Sequence, residues 1–202
     1  AEKSTFEEVS YLLLHGDLPN RQQLDTFNDS LKEARNLPAQ IFSIIDEIKN
    51  SHPMDVLRTA VSALASFDED RENDTVEGAI KKGIRLTSQV PTIVMAHHNI
   101  RNGNPPIEPN QNLNHAGNFL YMLNGKIPSQ QTINLMDKDF ILHADHGSNA
   151  SAFTARVVAS TNADLHGAIT AGIAALSGPS HGGAAENVMQ MAKEIESPEK
   201  AE

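Results

Sequence analysis

Apolar positions along this chain recur at three- and four-residue steps, which marks helices with one buried face, and no segment alternates convincingly with period two. From Phe6 to Leu14 the pattern is helical and closes at Gly16, with Ser4 and Glu7 reading as the capping box that opens it. Asn20 caps a segment in which Leu24, Phe27 and Leu31 share one face, and a third helix follows Pro38 with Ile41, Ile44, Ile45 and Ile48. His52-Pro53 starts the next helix, with proline in the tolerated first turn and Leu57, Val61 and Leu64 as the buried stripe. Residues 68–73 form an acidic loop. Thr75 to Ile100 is helical in composition, and Pro91, which has no amide hydrogen, is expected to kink or interrupt it.

The densest loop signal is the run from Arg101 to Gln111, rich in proline and asparagine, which reads as a linker or a binding loop. Beyond it the pattern predicts helices from Asn114 to Leu123, closed by Asn124-Gly125, and from Ser129 to His143. Two alanine-rich helices flank Thr161-Asn162-Ala163, and a last one runs from Ala184 to Ile195. The small residues Gly167, Ala168, Ala171, Gly172, Ala174 and Ala175 read as a close helix contact rather than a cofactor box. The expectation is an all-α, multi-helical domain of about nine or ten helices with no significant sheet.

Composition narrows the chemistry. The chain has 202 residues, no Trp, two Tyr and seven Phe, so small aliphatic side chains must fill the core. A net charge of −10, with no accumulated Lys/Arg run, argues against nucleic acid or an anionic membrane as partner. The absence of cysteine excludes disulfides, thiolate nucleophiles and Cys-ligated zinc, and fits a reducing, cytoplasmic compartment. No apolar run approaches the ~18 residues that a membrane span needs. The capping box arrives with no leader ahead of it, so the chain is expected to begin inside a longer polypeptide.

Two polar clusters stand out. In Gly178-Pro179-Ser180-His181-Gly182-Gly183 the first two residues stop the preceding helix and place His181 at the entrance of the next. Backbone amides and the positive end of the helix dipole there disfavour an imidazolium, which suits a neutral ring donating a hydrogen bond to a carbonyl. Gly182 and Gly183 would let a substrate approach the backbone. The second cluster is His143-Ala144-Asp145-His146-Gly147-Ser148-Asn149. Two histidines three apart around an aspartate invite a metal reading, but a helix C-terminus itself favours His, and helical zinc sites space their ligands differently, so no metal is assigned. Arg156 faces either an anion or a surface salt bridge, and the other six histidines read as surface or core residues.

Three stretches together resemble the citrate synthase family: His-Pro-Met-Asp-Val-Leu-Arg-Thr-Ala-Val-Ser at 52–62, His-Ala-Asp-His-Gly-Ser-Asn-Ala-Ser-Ala-Phe-Thr-Ala-Arg-Val at 143–157, and Gly-Pro-Ser-His-Gly-Gly-Ala-Ala-Glu at 178–186. Ser4 to Pro19 is also similar to the family's N-terminal region, and the match runs in order along the whole chain, most like the shorter bacterial and archaeal type. The resemblance implies an all-helical fold and condensation of acetyl-CoA with oxaloacetate and water to citrate and CoA. It also implies a homodimer that pairs through helices 53–67 and 75–100. His181 matches the histidine that hydrogen-bonds the thioester carbonyl, and His146 the histidine that binds and polarises the oxaloacetate ketone. The CoA thioester is a substrate; no tightly bound cofactor is implied.

The resemblance further implies groups that residues 1–202 do not supply: a second histidine in a Gly-Phe-Gly-His-Arg type motif, an aspartate base, arginines for the oxaloacetate carboxylates and the main CoA-binding segment. The chain is therefore expected to be the large helical domain, incomplete at both ends, of a longer enzyme, and inactive alone. Two alternatives share the scaffold: a 2-methylcitrate synthase using propionyl-CoA, and an inactive helical dimerisation module.

Overall fold

In the computed structural model, which describes residues 3–195 and residue 197, helix follows helix in the order the apolar periodicity predicts. Among the described residues ten α-helices form: α1 (Phe6–His15), α2 (Arg21–Glu33), α3 (Ala39–Glu47), α4 (Pro53–Leu64), α5 (Val76–Arg101), α6 (His115–Asn124), α7 (Gln130–His143), α8 (Ala150–Ala159), α9 (Leu165–Leu176) and α10 (Gly182–Ile195). A single 3-10 turn, Ala65–Phe67, follows α4, and there is no strand among the described residues, so the fold is all-α. No described helix is long and apolar enough to cross a membrane.

Local cap chemistry sets most helix starts. Asn20 and Gln23 form a reciprocal capping box on α2, and Asn114, Ser129, Asn149 and Asp164 each accept an amide from the first turn they open. On α1 the box is Thr5 with Glu8, one residue later than the sequence suggests. The shift has a tertiary cause: Glu7 is buried, and its carboxylate accepts the His115 amide at 2.8 Å, so it cannot turn back to the cap.

The core is made by α3, α4 and α5, where Ile41, Ile45, Val56, Ala60, Val61 and Ile93 are fully buried. Leu57, expected in the α4 stripe, is only half-buried at its edge, and Val56 and Ala60 face inward instead. α5 is the central helix, contacted by α1, α2, α3, α4, α6 and α9. It runs through Pro91 without interruption. Packing on several sides holds it, and next to the missing amide the Thr92 hydroxyl reaches the Arg35 carbonyl at 2.9 Å, tying α5 to the chain after α2.

Both loops that looked open are fastened. Buried Arg35 donates to the Asn110 and Leu113 carbonyls at 2.7 and 2.9 Å, and the Asn118 side chain accepts the Asn110 amide at 2.8 Å, so the end of the run before α6 is tied to the body of the fold. In the acidic loop Asp68 and Asp70 both pair with Arg85, and buried Lys82 donates to the Arg71 and Asn73 carbonyls. α8 and α9 pack closely through their small residues: a Cβ on Gly172 would lie 3.3 Å from the Ser151 carbonyl oxygen.

Candidate functional site

His181 occupies the turn between α9 and α10. The Gly178 carbonyl accepts both the His181 amide, at 3.0 Å, and the Gly183 amide, at 3.2 Å, and the His181 carbonyl accepts the Ala184 amide at 3.2 Å as α10 begins. The ring is half-buried, with Nε2 at 2.9 Å from the Ser151 hydroxyl in the first turn of α8. Asn149 caps that turn by accepting the Ala152 amide at 2.8 Å, which fixes where Ser151 stands. If the hydroxyl donates to Nε2, a neutral ring carries its proton on Nδ1, leaving that nitrogen as a hydrogen-bond donor.

Ser151 is the contact of His181 that sequence reasoning passed over. Its position inside the 143–157 motif was visible, but a serine in a first helical turn has routine local uses, and only the fold reveals a partner thirty residues away. The two glycines are tightly placed. A Cβ on Gly182 would collide with the Leu176 carbonyl oxygen, and one on Gly183 would meet the Gly178 carbonyl oxygen at 3.3 Å. Their missing side chains make room for the end of α9 and for the turn that follows it.

The second cluster does not converge. His143 ends α7 with Nδ1 at 2.8 Å from its own helix's Asp139 carbonyl, and Asp145 accepts the Gly147 amide at 3.1 Å. His146 lies exposed on the loop between α7 and α8, its ring open to solvent. Among the described residues no group of three His, Cys, Asp or Glu side chains is placed to hold a metal ion. Arg156 is exposed on the last turn of α8. The Ser151–His181 contact joins the segment that carries His146 to the one that carries His181.

Strong electrostatic perturbation lies elsewhere. Burial, helped by the Arg35 charge, pushes the His115 ring down to about 4. Burial also raises the Glu7 carboxyl and lowers Arg35 to about 10. His166, 1% exposed with Nε2 at 3.4 Å from Asp68, is held down by burial against the pull of Asp68 and Asp164. These groups fasten helices and loops together; they do not face His181.

The all-α domain thus holds an imidazole at a helix entrance against a hydroxyl from the first turn of α8, a geometry that can offer a ring nitrogen to a ligand as a hydrogen-bond partner. Comparison with known proteins narrows the class. The family model for the citrate synthase C-terminal domain matches residues 1–202. Citrate synthase 2 of Bacillus subtilis is 44% identical over 100% of this chain and 55% of its own length. A 2-methylcitrate synthase of Mycobacterium tuberculosis is 40% identical over 100% of the chain and 51% of its own length. The crystal structure of citrate synthase from Pyrobaculum aerophilum superposes with a TM-score of 0.93 at 39% identity, covering 99% of this chain and 52% of that one. The citrate synthase of Thermoplasma acidophilum, solved as a ternary complex with carboxymethyl coenzyme A and oxaloacetate, superposes with a TM-score of 0.88 at 27% identity, covering 96% of this chain and 51% of that one. The chain belongs to the citrate synthase family, and it spans about half the length of the curated relatives it matches.

Proposed function

We propose that residues 1–202 form the large helical domain of a citrate synthase, in a polypeptide that condenses acetyl-CoA with oxaloacetate and water to citrate and CoA. The observation that carries this reading is the 2.9 Å contact between the Ser151 hydroxyl and His181 Nε2 at the entrance of α10. With the hydroxyl donating to Nε2, Nδ1 is left to donate to the thioester carbonyl oxygen, where charge grows as the methyl carbon gives up its proton. His146, on the loop that leads into α8, binds the ketone oxygen of oxaloacetate and makes its carbon more electrophilic. The enol carbon then bonds to that ketone carbon and the ketone oxygen takes up a proton. Water cleaves the thioester C–S bond and releases CoA as the thiol. The base that takes the methyl proton is assigned to the rest of the polypeptide. A relative solved with a CoA derivative and oxaloacetate supports both substrates.

Pairing of two copies belongs to the same proposal. An open apolar groove of about 850 Å³ runs along α5, lined by residues that include Leu13, Val76, Ile80, Val94, Phe119 and Ile169. Val76 is 79% exposed, and Phe153 on α8 is 63% exposed. We assign the seam between copies to helices 53–67 and 75–100, with α5 contributing the exposed apolar face.

A second reading, propionyl-CoA as the acyl donor, is favoured by the 40% identical 2-methylcitrate synthase. One methylene in an acyl pocket discriminates by only ~1–3 kcal/mol. Steady-state kinetics of the complete protein with acetyl-CoA against propionyl-CoA decides between them. Condensation with neither donor would reject both and favour the dimerisation module.

A further inference from the structure

We infer that Gly182 is a positioning residue for His181, and that the last carbonyl of α9 is the stop against which the histidine turn is seated. The inference rests on the catalytic reading of His181. Gly182 needs no unusual backbone, since it lies in the first turn of α10 and is not among the positive-φ glycines. What it needs is space. A Cβ there would overlap the Leu176 carbonyl oxygen, with Leu176 Cδ1 at 3.0 Å and Cγ at 3.2 Å. The carbonyl is backbone and cannot rotate away as a side chain would.

Which side gives way follows from how each is held. α9 is anchored along its length: Asp164 caps it, His166 and Ala168 are 1% exposed, and Gly172 sits against the Ser151 carbonyl. α10 shares no extensive interface with another helix among the described residues. A methyl group at 182 therefore displaces the 181–183 turn, and regaining van der Waals distance takes a shift of about 1 Å, enough to cost roughly a hundred-fold in rate at a reacting group. Such a shift breaks the Ser151–His181 contact, which holds the ring at 2.9 Å.

The test uses the complete protein, ¹⁵N-labelled at histidine, as wild type, His181→Ala and Gly182→Ala. The His181 imidazole signals are those lost in His181→Ala. Gly182→Ala is expected to lower kcat roughly a hundred-fold, to leave the KM for oxaloacetate within about two-fold, and to move the His181 ¹⁵N signals. A purely structural role predicts that the clash lowers stability while leaving the ring where it is, with unmoved signals. That result, with wild-type kcat, would overturn the inference. Leu176→Ala keeps the carbonyl and removes the side-chain atoms beneath the turn, so the signals should stay in place. If they move in this variant, the carbonyl is not the stop, and the conclusion stands even if Gly182→Ala does not fold. Near-normal turnover in His181→Ala would instead reject the catalytic reading and leave the spectroscopic arm intact.

Discussion

Ser151 and His181 are thirty residues apart in sequence and 2.9 Å apart in the fold, hydroxyl to Nε2, and the contact links the entrances of α8 and α10. A ring held from one side presents a defined nitrogen to the other. Removing the hydroxyl by Ser151→Ala leaves the ring in place but frees its tautomer and orientation. The expected result is a fall in kcat of roughly ten- to a hundred-fold with little change in the KM for oxaloacetate, read from steady-state kinetics of the complete protein. An unchanged kcat would show that the contact has no part in turnover.

His146 and His181 should fail differently when replaced. His181→Ala is expected to cut turnover by orders of magnitude at unchanged helix content, because it removes a donor that acts as charge develops on the thioester oxygen. His146→Ala should raise the KM for oxaloacetate, since the exposed ring between α7 and α8 is assigned to the ketone. Measuring both constants for both variants separates the roles. An unaltered oxaloacetate dependence in His146→Ala would remove that residue from the site.

Acid stability is set by a histidine far from the chemistry. His115 is 5% exposed, packs on Phe6 and Phe140, and has its ring pushed from 6.5 down to about 4. Between these values the unfolded chain binds a proton that the folded chain refuses, so the stabilisation is complete above 6.5 and is lost as pH falls toward 4. The full loss is about 3 kcal/mol. His166, also lowered, acts in the same direction. Glu7, whose carboxyl is raised above 4.5, takes up its proton earlier when folded and offsets part of the loss near the lower end of the window. Urea unfolding of His115→Gln and wild type at several pH values should give a shallower acid dependence in the variant. Parallel curves would contradict the assignment.

How far the sequence carries depends on whether the cause is local. Asn20 was readable as a cap, and the helices opened by Asn114 and Ser129 as helices, because a cap bonds amides within its own first turn. The α1 box moved by one residue because Glu7 is claimed by His115, 108 positions away. Pro91 looked like a break because nothing in a linear pattern shows the helices packed around α5. His181 was legible from the glycines and proline beside it, whereas Ser151 reaches it only because the fold brings the starts of α8 and α10 together. Even the Gly182-Gly183 pair, legible as a demand for small residues, did not show which neighbour makes the demand.

The apolar face of α5 provides a test of pairing that leaves folding alone. Val76 is 79% exposed at the start of the helix, so an aspartate there disturbs no core contact and adds an acid to the first turn, where the helix dipole favours one. Val94 is 37% exposed near the other end of the groove, where a charge costs little while water reaches it and far more once a second copy covers it. If α5 is the seam, Val76→Asp with Val94→Asp places two carboxylates per copy in an apolar interface. The dimer should then weaken by at least a hundred-fold, measured by analytical ultracentrifugation across a dilution series, while circular dichroism keeps its helical amplitude. A variant that pairs as tightly as wild type would put the seam on another face, with the exposed Phe153 and Val157 of α8 as the next surface to mutate.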